Sequence, residues 1–111
     1  MKPNHVHFKV KNLNAALDWL EGIWETKPVF QNPRMAVIPF GDLTYVLDAD
    51  EEDSPATIAF QTENCDEEFA NVVRRGAQVI AKPEDQSWGV RAAYLKGPGR
   101  LTFEIEQRID G

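Results

Sequence analysis

The chain has 111 residues, 42% hydrophobic and 27% charged, enough for one domain that needs neither disulfides nor a structural metal to hold a core. Eighteen acidic against twelve basic residues leave a net charge of −6, which argues against unspecific nucleic-acid binding and points to neutral or cationic partners. Cys65 stands alone, "MKPNHVHF" carries no apolar leader, and no apolar run is long enough for a bilayer, so a reducing, cytoplasmic setting without membrane contact is expected.

In chain order, "HVHFKV" (5–10) alternates as a strand, with Val6, Phe8 and Val10 on one face and His5, His7 and Lys9 on the other. These are the only two histidines of the chain. Imidazoles two residues apart on a strand can converge on a metal or simply fill a polar face. A helix is predicted over 13–24, where Leu13, Ala16, Leu17, Leu20 and Trp24 recur at helical spacing behind Asn12 as N-cap, with Trp19 at the edge of the stripe. Strands follow near 28–31, 34–40 and 43–48, punctuated by Pro33 and Gly41. The acidic "DADEEDSP" (48–55) reads as a linker. Beyond it come a strand at 57–62 and a helix from about Asn64, where Asn64 and Glu67 have capping-box spacing. Phe69, Val72 and Val73 form the stripe of that helix and Gly76 ends it; strands near 77–80, 90–95 and 101–106 complete the chain.

The order βαβββ thus occurs twice, and the residues repeat with it. At an offset of 52, Val6 matches Ile58, Phe8 matches Phe60, Asn12 matches Asn64 and Leu17 matches Phe69; at an offset of 58, "GDLTYVLD" (41–48) matches "GRLTFEIE" (99–106). Within the last strand, Leu101, Phe103 and Ile105 are expected under the helix, which turns Thr102, Glu104 and Glu106 to the other side. By the same offsets His5 corresponds to Thr57 and Glu104 to Val46.

With paired βαβββ units, "HVHFKVKNLNAALDWL" at the start and "SWGVRAAYL…GP…FEI" near the end, the chain resembles the vicinal-oxygen-chelate superfamily of glyoxalase I, extradiol dioxygenases and antibiotic-resistance proteins, and most of all its bleomycin-resistance branch. The turn Gly97-Pro98-Gly99-Arg100 departs from the Asp-Pro-x-Gly usual in that branch. The resemblance implies an α+β fold: one domain, 1–111, of two modules at about 4–50 and 56–108, each a concave sheet with its helix on the convex side, enclosing a cavity. It also implies metal ligands on the first and last strands of both modules. His5 and Glu104 take two of those positions, but Thr57 and Val46 take the other two and are not useful ligands for a divalent ion.

Three functions follow. The leading one is a non-catalytic binder, without cofactor, of a small and cationic ligand in a cavity lined by His5, His7, Val46, Thr57, Glu104, Trp88 and Arg91. In it Trp88 covers an apolar or planar ligand and Arg91 is a fixed positive donor, with core packing and a surface ion pair as their respective structural alternatives. The second is a metal-dependent lyase, isomerase or dioxygenase in which His7 joins His5 and Glu104 around Mn, Fe, Ni or Zn. The third is a protein-interaction module with a vestigial cavity. Homodimers are implied by the resemblance. Tyr94 is expected on the helix-packed side and Cys65 is read as structural. The sequence has no glycine-rich phosphate loop, serine elbow or paired-cysteine zinc motif.

Overall fold

Alternation in the strands and a 3.6-residue stripe in each helix produce two layers twice over. The computed structural model describes residues 1–109, and the chain folds as two units: Met1–Pro55 with Pro98–Arg100, and Ala56–Gly97 with the segment from Leu101 onward.

In the first unit, β1 (His5–Val10) leads into α1 (Leu13–Trp24), followed by β2 (Phe30–Asn32), β3 (Met35–Phe40) and β4 (Leu43–Ala49). The sheet order is β1-β4-β3-β2, with β1 parallel to β4 and the other pairs antiparallel. Asn12 Oδ1 accepts from Ala15 N–H at 2.9 Å and so starts the helix. Leu13, Ala16, Leu17, Leu20 and Ile23 are its buried stripe, and Val10, Ala36, Ile38 and Leu47 are the buried sheet residues beneath. Residues 50–54, expected only to link, also dress the β1 edge: Asp50 N–H donates to Val10 O, and Lys9 and Ser54 exchange backbone and hydroxyl hydrogen bonds at 2.9 Å. An edge strand so covered offers less backbone to another chain.

In the second unit, β5 (Ala56–Gln61), α2 (Cys65–Arg74), β6 (Gln78–Asp85), β7 (Val90–Lys96) and β8 (Leu101–Arg108) repeat the plan in the order β5-β8-β7-β6, again with one parallel pair. The β1–β4 and β5–β8 registers, His5 with Thr44 and Thr57 with Thr102, differ by six residues, as the two repeat offsets require. Asn64 caps α2 through Glu67 N–H at 3.0 Å, while the Glu67 carboxylate accepts from the Asn64 side-chain amide at 3.3 Å. Leu101, Phe103 and Ile105 are at most 3% exposed and lie on the α2 side, where the Cys65 thiol donates to Ile105 O.

Three expectations shift. Strand β6 runs to Asp85 rather than ending near residue 80, because Pro83 is tolerated on an edge strand interrupted by two register shifts. Strand β2 begins at Phe30 rather than at 28. Val73 is 37% exposed, so the α2 stripe is Cys65, Phe69 and Val72. The departing turn has its own logic. A side chain on Gly97 would meet Phe103 Cδ1 at 2.9 Å, and Gly99, at φ +61°, would place a Cβ 2.7 Å from Asp53 Oδ1.

Candidate functional site

Pleating and register decide which side chains share a face. In the first unit, the face turned away from α1 carries His5, His7 and Lys9 from β1, Thr44, Val46 and Asp48 from β4, and Val37 from β3. The two imidazoles meet edge to face, with ring centroids 5.0 Å apart. His5 Nδ1 lies 2.8 Å from Asn4 Oδ1, and His7 Nδ1 lies 2.7 Å from Asp48 Oδ2. The carboxylate engages the imidazole through Nδ1, and Nε2 is the ring nitrogen turned away from it. Both partners are solvated, at 54% and 37% side-chain exposure, so this pair orients a ring more than it stabilises the fold. Val46, only 5% exposed, sits directly between His7 and Val37.

The corresponding face of the second unit is acidic. Thr57 pairs with Thr102, Ala59 with Glu104 and Gln61 with Glu106, while Tyr94 on β7 pairs with Glu104 from the other side. Glu104 is half-buried. Burial first, then the neighbouring Glu106 charge and a carboxyl–carboxyl hydrogen bond to it, push the Glu104 carboxyl above the ordinary glutamate value; a Tyr94 hydroxyl donating to Glu104 works the other way. The same surroundings, burial ahead of the Glu104 and Glu106 charges, raise the Tyr94 phenol. Two carboxyls and a hydroxyl thus share one patch, and a cation placed there would favour the ionised form of both acids.

The structure therefore groups the candidates unit by unit. His5, His7 and Val46 share one face with Asp48, and Thr57 and Glu104 share another with Tyr94 and Glu106. Arg91 lies instead on the α2 side of its sheet, opposite Gln107, which accepts from Cys65 N–H. Its guanidinium reaches Asp66 at 3.1 Å and Asp85 at 2.9 Å, which is the surface ion-pair alternative for this residue. Trp88 is 59% exposed in the turn between β6 and β7, beside Gly89 at φ +85°. Cys65 is fully buried, and burial with the Asp66 charge raises its thiol, against the Arg91 charge.

Among the described residues, neither unit by itself gathers three His, Cys, Asp or Glu side chains in a way that could hold a metal ion. In the first unit Val46 brings only methyl groups; in the second, the position of His5 is occupied by the exposed hydroxyl of Thr57. The donors on these faces do not fit a metal centre of the kind the resemblance implies.

Three participants escaped the sequence reading. In the sequence Asp48 stands at the boundary of the acidic linker, although the 58-residue offset sets it opposite Glu106. Glu106 is expected on the face turned away from the helix, with no role attached to it. Tyr94 is a correction: it faces away from α2, not toward it, as its pairing with Glu104 shows. Ala92 and Ala93 are both buried at 1% or less, so alternation along β7 is erased by small side chains on both faces.

Solved structures place this fold in a class. The chain superposes on a glyoxalase/bleomycin resistance protein/dioxygenase from Nocardioides with a TM-score of 0.86 at 16% identity, covering 100% of this chain and 85% of the other. A member of the same superfamily from Sphaerobacter thermophilus gives 0.82 at 20% identity, with 97% and 98% covered. TioX from Micromonospora sp. ML1 gives 0.83 at 16% identity, with 98% and 100% covered. No protein-family model and no curated protein matches the sequence. The likeness defines an architecture, the vicinal-oxygen-chelate fold of two βαβββ modules. No helix among the described residues is long and apolar enough to cross a membrane.

Proposed function

We propose that this chain is a non-catalytic binding protein for a small organic cation, held by Glu104 and Glu106 with Tyr94 as a hydrogen-bonding neighbour. One observation carries the reading. At the positions where the fold would carry metal ligands, Val46 and Thr57 stand instead, while the remaining carboxylate, Glu104, is half-buried against a second acid. A positive ligand relieves that juxtaposition; a neutral one does not. The net charge of −6 favours encounter with cations over nucleic acid. A homodimer and a reducing, cytoplasmic setting go with this reading, the former from the superfamily resemblance and the latter from the lone, buried Cys65.

A thermal-shift panel of cationic glycopeptides, planar aromatic cations and neutral 2-oxoaldehydes tests it. A cation present at about 100 times its Kd adds about 2.7 kcal/mol to the native state and raises Tm by several degrees. Glu104→Gln should abolish that rise. Equal shifts in wild type and Glu104→Gln, a preference for the neutral compounds, or no shift at all would overturn the proposal. So would stoichiometric Mn, Fe, Ni or Zn in untagged protein that disappears on Glu104→Ala.

A further inference from the structure

We propose a second ligand site in the first unit, on its helix side: a groove between α1, the acidic segment 48–55 and Pro98-Gly99 that takes a small organic cation bearing one flat ring. The groove has a volume of about 260 Å³ and is lined mainly by carbon, with Val10 and Ala16 buried at its base and Trp19 and Pro98 beside them. That volume suits a single ring with a short side chain rather than a drug-sized molecule. The Trp19 ring is held nearly parallel to Trp24, at 17° and 6.1 Å between centroids, and so is already positioned as an aromatic wall.

The polar element is Asp53. Its Oδ1 accepts from Lys11 N–H at 2.8 Å, and Gly99 lies so close that any Cβ there would fall 2.7 Å from the same oxygen. The carboxylate is therefore placed before any ligand arrives. Among the described residues it makes no ion pair, unlike Asp48, Asp50, Asp66 and Asp85. Asp50, Glu51 and Glu52 precede it in the same segment and add negative potential. An apolar slot with an aromatic wall and one fixed carboxylate selects for a ring carrying an ammonium group: the ring takes the apolar lining, and the cation meets Asp53 and the indole. This site is separate in residues from the Glu104 patch and does not rest on the function proposed above.

The test is a titration of the full chain, labelled with nitrogen-15, with phenethylammonium chloride, read from the backbone and indole N–H signals. Saturable shifts are expected at Lys11, Ala15, Trp19 and Gly99. Asp53→Asn should weaken binding about tenfold, and 2-phenylethanol should bind about tenfold more weakly than the ammonium compound. Ala15 lies at the exposed rim of the groove, so Ala15→Phe fills the slot from outside and should abolish the shifts. Glu104→Gln should leave them unchanged, which separates failure here from failure of the Glu104 reading. The proposal is overturned by an absence of saturable shifts up to about 10 mM, by shifts confined to the second unit, or by equal binding of the alcohol and the ammonium. Should Ala15→Phe lose its dispersed spectrum, the near-isosteric Asp53→Asn decides alone: unchanged affinity in that variant refutes the site.

Discussion

Replacing Gly99 by alanine tests how the first unit pins its acidic segment. Gly99 has φ +61°, a region that costs an alanine about 1–2 kcal/mol relative to glycine. The added methyl would also sit 2.7 Å from Asp53 Oδ1. A carboxylate at the end of a free side chain would swing away at little cost, but this one accepts from Lys11 N–H at 2.8 Å, and moving it sacrifices that bond, worth about 1 kcal/mol net. Gly99→Ala should therefore destabilise by about 2–3 kcal/mol in the wild-type background. Asp53→Ala alone should cost about 1 kcal/mol, the value of the same hydrogen bond. In the double variant the collision with Oδ1 is gone and the hydrogen bond is lost only once, so the two costs fall short of additivity by about 1 kcal/mol. Urea unfolding of the four proteins, with midpoints compared at unchanged m-values, measures this coupling. Strict additivity, or a Gly99→Ala variant as stable as wild type, would show that Asp53 is not held in place and would remove the preorganised carboxylate from the groove argument.

Glu104→Gln should make the protein more stable near neutral pH and not below about pH 4. The folded-state carboxyl titrates higher than the unfolded one, so the native chain holds its proton longer, and stability falls as pH rises from the unfolded value through the raised one. Screening of a half-exposed group keeps the gain under about 1 kcal/mol, read as urea midpoints at the two pH values. Tyr94→Phe removes the hydroxyl that lowers the Glu104 value, so carboxyl carbon-13 shifts should show Glu104 titrating at higher pH than in wild type. Asn12→Ala should cost about 1 kcal/mol through the lost cap on Ala15 N–H, measured by thermal unfolding. Arg91→Ala should leave cation binding at Glu104 unchanged, because its two ion pairs are solvated and lie on the α2 side; a lost thermal shift would give Arg91 a ligand role.

What could be read from the sequence divides along a physical line. Both helices announce themselves by an apolar stripe with an Asn cap, and the paired repeat fixes strand order, since the β1–β4 and β5–β8 registers preserve the offsets of the sequence match. The alternation of β8 is equally plain, because large apolar residues occupy one face and acids the other: Leu101, Phe103 and Ile105 against Thr102, Glu104 and Glu106. Legibility fails where side-chain size or sequence context stops reporting burial. The consecutive alanines of β7 hide the direction of Tyr94, and Pro83 makes an edge strand look like a loop.

Charge misleads in a related way. A run such as "DADEEDSP" suggests uniform solvation, yet its members have different fates set by single backbone neighbours: Asp48 belongs to β4 and orients His7, Asp53 is fastened to Lys11 N–H, and Ser54 closes on Lys9. Each of these contacts joins residues about forty positions apart, so no local pattern could have announced them. The same reasoning explains why a ligand set cannot be inferred from fold alone. The scaffold keeps strand positions aligned between the modules, but what occupies them is decided residue by residue. Here Val46 and Glu104 stand at equivalent places, each flanked by its own cross-strand partners, His7 and Val37 in one sheet and Ala59 and Tyr94 in the other. One scaffold therefore presents an imidazole beside methyl groups on one face and a carboxyl beside a phenol on the other.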